Sequence, residues 1–296
     1  MEQLIRLEAG LILRHAERWI RLPADVTIDA LLALPLEEMS RRLEHFAVRA
    51  ESSPMDVKPL APIESQEVWA AGVTYQRSLE ARTDEAVISD PYERVYRAGR
   101  PELFFKATHG RVRGPGDPIF IRSDSTWDVP EPELAVVCNS RLEIAGYTIG
   151  NDVSSRSIEG ENPLYLPQAK VYDGSCALGP AIRLGWDFSP ADRSIELVIS
   201  RRSSVMFHGS TSTAAMRRPI AELVEYLGRD QSFPAGCVLL TGTGIVPPSE
   251  FTLEEGDSVT IRIDGIGELT NPVRRHSGRA ERSGSAGTRS RDRSEP

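Results

Sequence analysis

Lysine is scarce in this chain: of 35 basic residues only Lys58, Lys106 and Lys170 are lysine, and the others are arginine. Such a bias fits a GC-rich coding background. There a lysine persists where a compact ammonium able to give up its proton is needed, since a guanidinium cannot be deprotonated. Lys58 falls in a Pro-bearing linker, whereas Lys106 and Lys170 flank an acidic cluster, and the pattern marks Lys170 as functional. Cysteine is equally sparse. Cys138, Cys176 and Cys237 are odd in number, widely spaced and form no CxxC pair. That argues against a disulfide framework and predicts reduced, buried thiols in a cytoplasmic protein. No apolar run is long enough to span a bilayer. Met1-Glu2-Gln3 lacks the basic stretch of a signal peptide. A net charge of −8 argues against nucleic acid as a main partner, because phosphate binding needs concentrated positive charge.

What the chain does have is a set of acids at telling positions. Glu131-Pro132-Glu133 opens a β-rich run, the polar stretch Asn139-Ser140-Arg141 follows, and a second β-rich run leads to Asp152. This is a hairpin pattern. Residues two apart on a strand share a face, so Glu131 and Glu133 point the same way. The return leg can carry Asp152 beside them. Three converging carboxylates repel unless a cation sits between them, and an all-oxygen ligand set suits Mg²⁺, Mn²⁺ or Ca²⁺ better than zinc.

Organisation along the chain falls into three pieces. Residues 1–62 form a small N-terminal region and linker: apolar segments Leu4–Leu13 and Trp19–Leu22, then Leu36 to Val48 with helical spacing that puts Leu43, Phe46 and Ala47 toward one face. Residues 63–276 alternate short β-rich runs with Gly/Pro turns. Strands are predicted at Ile119–Ile121, Leu134–Val137, Ile195–Ile199, Val238–Leu240 and Val259–Ile263, and helices only at Tyr75–Val87 and Ile220–Leu227. Much sheet with few helices indicates an α+β fold. Residues 277–296 carry no large apolar side chain and are expected to be disordered.

The stretch from Glu102 to Pro180 resembles the fumarylacetoacetate hydrolase superfamily. The resemblance rests on Phe104-Phe105-Lys106, on Gly114 to Ile119, on the acidic pair, on Gly146 to Arg156 (Gly-Tyr-Thr-Ile-Gly-Asn-Asp-Val-Ser-Ser-Arg) and on Leu178-Gly179-Pro180. A second block agrees: Pro219 to Leu227, Leu240 to Gly244, Glu255-Gly256-Asp257 and Gly265 to Val273. Within the superfamily, Ile158 to Tyr172 looks like the 2-keto-3-deoxy-D-arabinonate dehydratases. The resemblance implies a mixed β-sandwich roll and a homo-oligomer. It also implies Mg²⁺ on Glu131, Glu133 and Asp152, a 2-keto acid substrate, Lys170 as base and Glu102 as the acid for a departing hydroxyl. Arg156 and Thr243 are then candidates for gripping the substrate carboxylate, the former because a guanidinium fork matches it. Glu159 and Glu161 line the pocket or cap a helix.

One departure narrows the chemistry. Hydrolytic members carry Asn-Tyr-x-x-His-x-x-Glu, whose histidine and glutamate activate a water. Here the segment reads Thr74-Tyr75-Gln76-Arg77-Ser78-Leu79-Glu80-Ala81. Serine in the histidine's place cannot act as a general base near neutral pH. His109, near the Phe-Phe-Lys block, reads as a loop residue. The expected reaction is therefore dehydration of a 2-keto-3-deoxy sugar acid, giving 2,5-dioxopentanoate from 2-keto-3-deoxy-D-arabinonate. The alternative is hydrolysis or decarboxylation of acylpyruvates, 2,4-diketo acids or oxaloacetate, and a non-catalytic keto-acid binder comes last.

Overall fold

The run Leu134-Ala135-Val136-Val137-Cys138 offers no polar position, and its place in the fold explains why. The computed structural model describes residues 1–49, 58–78, 80 and 90–278. In it Pro132–Cys138 is a central strand buried along its whole length. Leu134, Val136 and Cys138 face a core shared with Leu197, Ile261 and Leu269 of a second sheet. Ala135 and Val137 face another core, with Leu31, Met39 and Leu43 of the N-terminal helices. A strand covered on both sides reads as a continuous apolar run instead of an alternating one. Each Leu, Ile or Val so buried contributes about 1.5–3 kcal/mol.

Among the described residues the larger sheet has ten strands, nine along one path and Val112–Arg113 paired beside Cys176–Leu184. Its path runs from Arg18–Arg21 through Gly10–His15, Glu2–Leu7, Cys176–Leu184, Ile144–Asp152, Pro132–Cys138, Cys237–Leu240 and Glu67–Gly72 to Glu102–Ala107 at the edge. Cys237–Leu240 lies parallel to Glu67–Gly72 and antiparallel to Pro132–Cys138. The second sheet orders Ser204–Ser212, Ser194–Arg201, Ser258–Ile263, Gly267–Arg275 and Ile119–Ile121. Two stacked sheets with short helices make an α+β fold. All five strands predicted from β-rich runs are strands, as are the apolar segments near the N-terminus. These form a meander that joins the larger sheet through Gln3↔Arg183 and Leu4↔Ile182.

Helices agree with the spacing in two places, Leu36–Arg49 and Ile220–Leu227. The helix predicted over Tyr75–Val87 is present at residues 76–78, and most of its remainder lies outside the described residues, as does nearly all of the 277–296 tail. Three helices carry too few turns to show a period: Ile28–Leu32, Arg156–Glu161 and Leu166–Lys170. The second of these begins where the Ser155 hydroxyl accepts the Ile158 N–H, a side-chain cap. The third, Leu166–Lys170, brings Lys170 to the acids.

Candidate active site

The hairpin from Pro132 to Asp152 assembles the acids. Gly150 pairs with Glu133 and Asn151 with Pro132. The Asp152 N–H then donates to the Glu131 carbonyl at 2.9 Å. At the turn, Asn139 Oδ1 accepts from the N–H groups of both Arg141 and Glu143, the local bonding that favours asparagine in turns. Glu131, Glu133 and Asp152 consequently present carboxylate oxygens within 4.8 Å of one another, all buried.

Cations of the chain itself surround the trio. Lys170 Nζ donates to Glu131 Oε2 at 2.6 Å, to Asp152 Oδ2 at 3.0 Å and to Ser154 Oγ at 2.6 Å. Lys106 Nζ approaches Asp152 Oδ1 at 2.5 Å. Arg156 Nη2 lies 2.8 Å from Glu131 Oε1. Buried charges persist only when paired in this way. Glu133 is served differently: the Gly242 N–H donates to its Oε2. Gly242 has φ +91°, and a Cβ there would collide with Thr74 Oγ1, so only glycine brings that N–H in. Burial, then the charges of Asp152 and Glu131, hold the Glu133 carboxyl well above the ordinary carboxylate range. Burial, then Glu133, also pushes up the Tyr75 phenol. Buried oxygen donors that repel one another to this degree are the donor set of a hard divalent cation, and these residues fit one.

Around the trio, Ser78, Glu102, Phe104, Glu159, Leu166 and Thr243 line a single cleft. Of the expected substrate-side residues, Glu102 and Thr243 are therefore at the cleft. Arg156 is buried, and its guanidinium is engaged with Glu131, so it is not among the side chains that line the opening. Glu159 lines the cleft and Glu161 is exposed. His109 sits on an exposed turn away from it. Sequence reasoning undervalued Lys106, although its rarity was a visible signal. It missed Ser154 and the Gly242 N–H, which nothing local in the sequence marks.

Glu102 is held against Gly72, where an added Cβ would fall 2.0 Å from Glu102 Oε2. Gly72→Ala must displace that flexible carboxylate while leaving the backbone intact. With Glu102 as the expected general acid, an unchanged melting temperature should accompany a kcat lowered by about 10²-fold, the low end of what misplacing such a group costs. Parent-like kcat in this variant would show that the carboxylate's place is immaterial.

Residues 67–274 match the family model described as fumarylacetoacetate (FAA) hydrolase C-terminal, and the chain belongs to the fumarylacetoacetate hydrolase family. It is 48% identical over 247 residues to a protein of Haloferax volcanii named probable 2-keto-3-deoxyxylonate dehydratase, a match covering 83% of this chain and 85% of that one. Identity is 47% over 225 residues to the 2-dehydro-3-deoxy-D-arabinonate dehydratase of Saccharolobus solfataricus, covering 74% and 76%. A solved structure of 2-keto-3-deoxy-D-arabinonate dehydratase complexed with magnesium and 2,5-dioxopentanoate matches with a TM-score of 0.79 at 38% identity. That match covers 93% of this chain and 99% of the other.

Proposed function

We propose that this protein is a magnesium-dependent hydro-lyase that removes water from a 2-keto-3-deoxy sugar acid, converting 2-keto-3-deoxy-D-arabinonate to 2,5-dioxopentanoate. The observation that carries the reading is a buried carboxylate trio with the Lys170 ammonium at its rim, opening on a cleft where Ser78 replaces the water-activating histidine. Held by Glu131, Glu133 and Asp152, the ion supplies Lewis-acid polarisation of the 2-keto group.

The chain's own groups move the protons. Lys170 Nζ, having released a proton to become the free amine, takes the proton from C3, and Glu102 gives one to the C4 hydroxyl, which leaves as water. The product of that elimination is an unsaturated keto acid. Transfer of a C5 proton to C3 then leaves an enol between C4 and C5, and loss of its hydroxyl proton with protonation of C4 gives the C5 aldehyde. Thr243 orients the substrate carboxylate, and Arg156 serves by holding Glu131 in place. Phe104, whose ring centroid lies 5.6 Å from Lys170 Nζ, shields that amine from bulk water. The free thiols of Cys138, Cys176 and Cys237 support a cytoplasmic setting. The edge strand Ser204–Ser212, which exposes Val205 and Met206, supports a homo-oligomer.

Incubation with Mg²⁺ and 2-keto-3-deoxy-D-arabinonate tests the reading. Release of an aldehyde that traps as the 2,5-dioxopentanoate hydrazone is expected. Parallel incubations with oxaloacetate and an acylpyruvate test the alternative: CO₂ from the first or pyruvate from the second, with no aldehyde from the sugar acid, would move the protein to decarboxylation or hydrolysis.

A further inference from the structure

We propose that Lys106 is a positioning residue that locks Asp152 and Lys170 into one unit, an inference that rests on Lys170 being the base. Lys106 is completely buried in the edge strand Glu102–Ala107 and is not among the side chains lining the cleft. It therefore has no path to the substrate. Its ammonium nevertheless makes three contacts: Asp152 Oδ1 at 2.5 Å, the Val153 carbonyl at 3.1 Å and the Lys170 carbonyl at 2.6 Å. The two carbonyls accept its N–H groups, and Asp152 Oδ1 is held as an ion pair.

The choice of partners is what carries the inference. Asp152 is gripped by Lys106 on Oδ1 and by Lys170 on Oδ2, while Lys106 also grips the main chain of Lys170. A closed ring results: Lys106 to Asp152, Asp152 to the tip of Lys170, and the base of Lys170 back to Lys106. Ser175 Oγ adds a second donor to the Lys170 carbonyl at 2.8 Å. Lys170 is thus anchored at both ends, and one oxygen of Asp152 is reserved so that the other faces the trio. A buried counter-charge alone would need neither carbonyl contact. The flat five-donor guanidinium has a different shape from a tetrahedral ammonium, which accounts for a lysine at 106 in a chain otherwise built with arginine.

The test compares Lys106→Met, Ser175→Ala and Lys170→Met, with kcat and KM for the keto acid at saturating Mg²⁺ and Mn²⁺ affinity by calorimetry. For Lys106→Met we expect kcat to fall by about 10²-fold, the scale of a small misplacement of a reacting group, with KM near the parent value. Mn²⁺ affinity should weaken by about tenfold, as for other supports of a metal ligand. Ser175→Ala should lower kcat with unchanged Mn²⁺ affinity. If saturating ion restores parent kcat to Lys106→Met, the residue serves the ion alone and the inference fails. Should that variant not fold, Ser175→Ala decides, and parent kcat there overturns the proposal. An active Lys170→Met would instead sink the assignment of the base, which separates the two failures.

Discussion

Lys170→Met should lower kcat by about 10³-fold, within the range of general-base help, without loss of the ion. The ammonium lies within 3.0 Å of both Glu131 and Asp152. A divalent cation held by those carboxylates would share them with it and be repelled by it, at an interaction of about 4 kcal/mol for unit charges 4 Å apart at a partly screened site. Removing the positive charge should therefore tighten Mn²⁺ binding while turnover collapses. Calorimetry on the variant reads the first effect and aldehyde formation the second. Loss of ion binding together with activity would mean that Lys170 is a scaffold for the carboxylates and not the base.

Glu133→Gln should have the opposite effect on the ion. Partners that merely support a metal ligand are worth 10–100-fold in affinity, so losing the ligand itself should cost at least about 10²-fold in Mg²⁺ affinity, with turnover lost alongside. Without the ion, however, the variant should be more stable than the parent. Burial and its acidic neighbours raise the Glu133 pKa in the folded chain, so between the ordinary glutamate pKa and that raised value the folded state holds a proton that the unfolded state has lost. Stability of the ion-free protein must then fall as pH rises through this window. Glutamine carries no charge and should flatten the dependence. Melting curves of chelator-treated protein from mildly acidic to mildly alkaline pH, run beside the variant, check this. A parent curve as flat as the variant's would remove Glu133 as the source of the tension.

What the sequence disclosed follows from how each feature is written in it. Glu131, Glu133 and Asp152 sit on the two legs of one hairpin, so local strand period and turn residues were enough to bring them together. Lys170 stood out by rarity. By contrast, the helix Leu166–Lys170 is five residues long, too short to leave a period. The Gly242 N–H reaches Glu133 across 109 positions, and no local pattern encodes such a contact. Arg156 was legible as a cation near the trio, but which carboxylate it would grip depends on the path of the chain after Asp152. The strand runs were readable because burial on both faces leaves Leu134 to Cys138 without a polar residue, and burial on one face makes Ser194–Arg201 and Ser258–Ile263 alternate.

The three acids proposed to hold the ion stand on or beside interior strands between two cores, whereas Glu159 and Leu166 reach the cleft from helices of six and five residues. Chemistry and selectivity are thereby lodged in parts of the molecule with unequal tolerance for change. Drift in the walls can reshape which sugar acid is accepted while the inner strands keep the reaction type, so one scaffold can diversify its diet without relearning its trade.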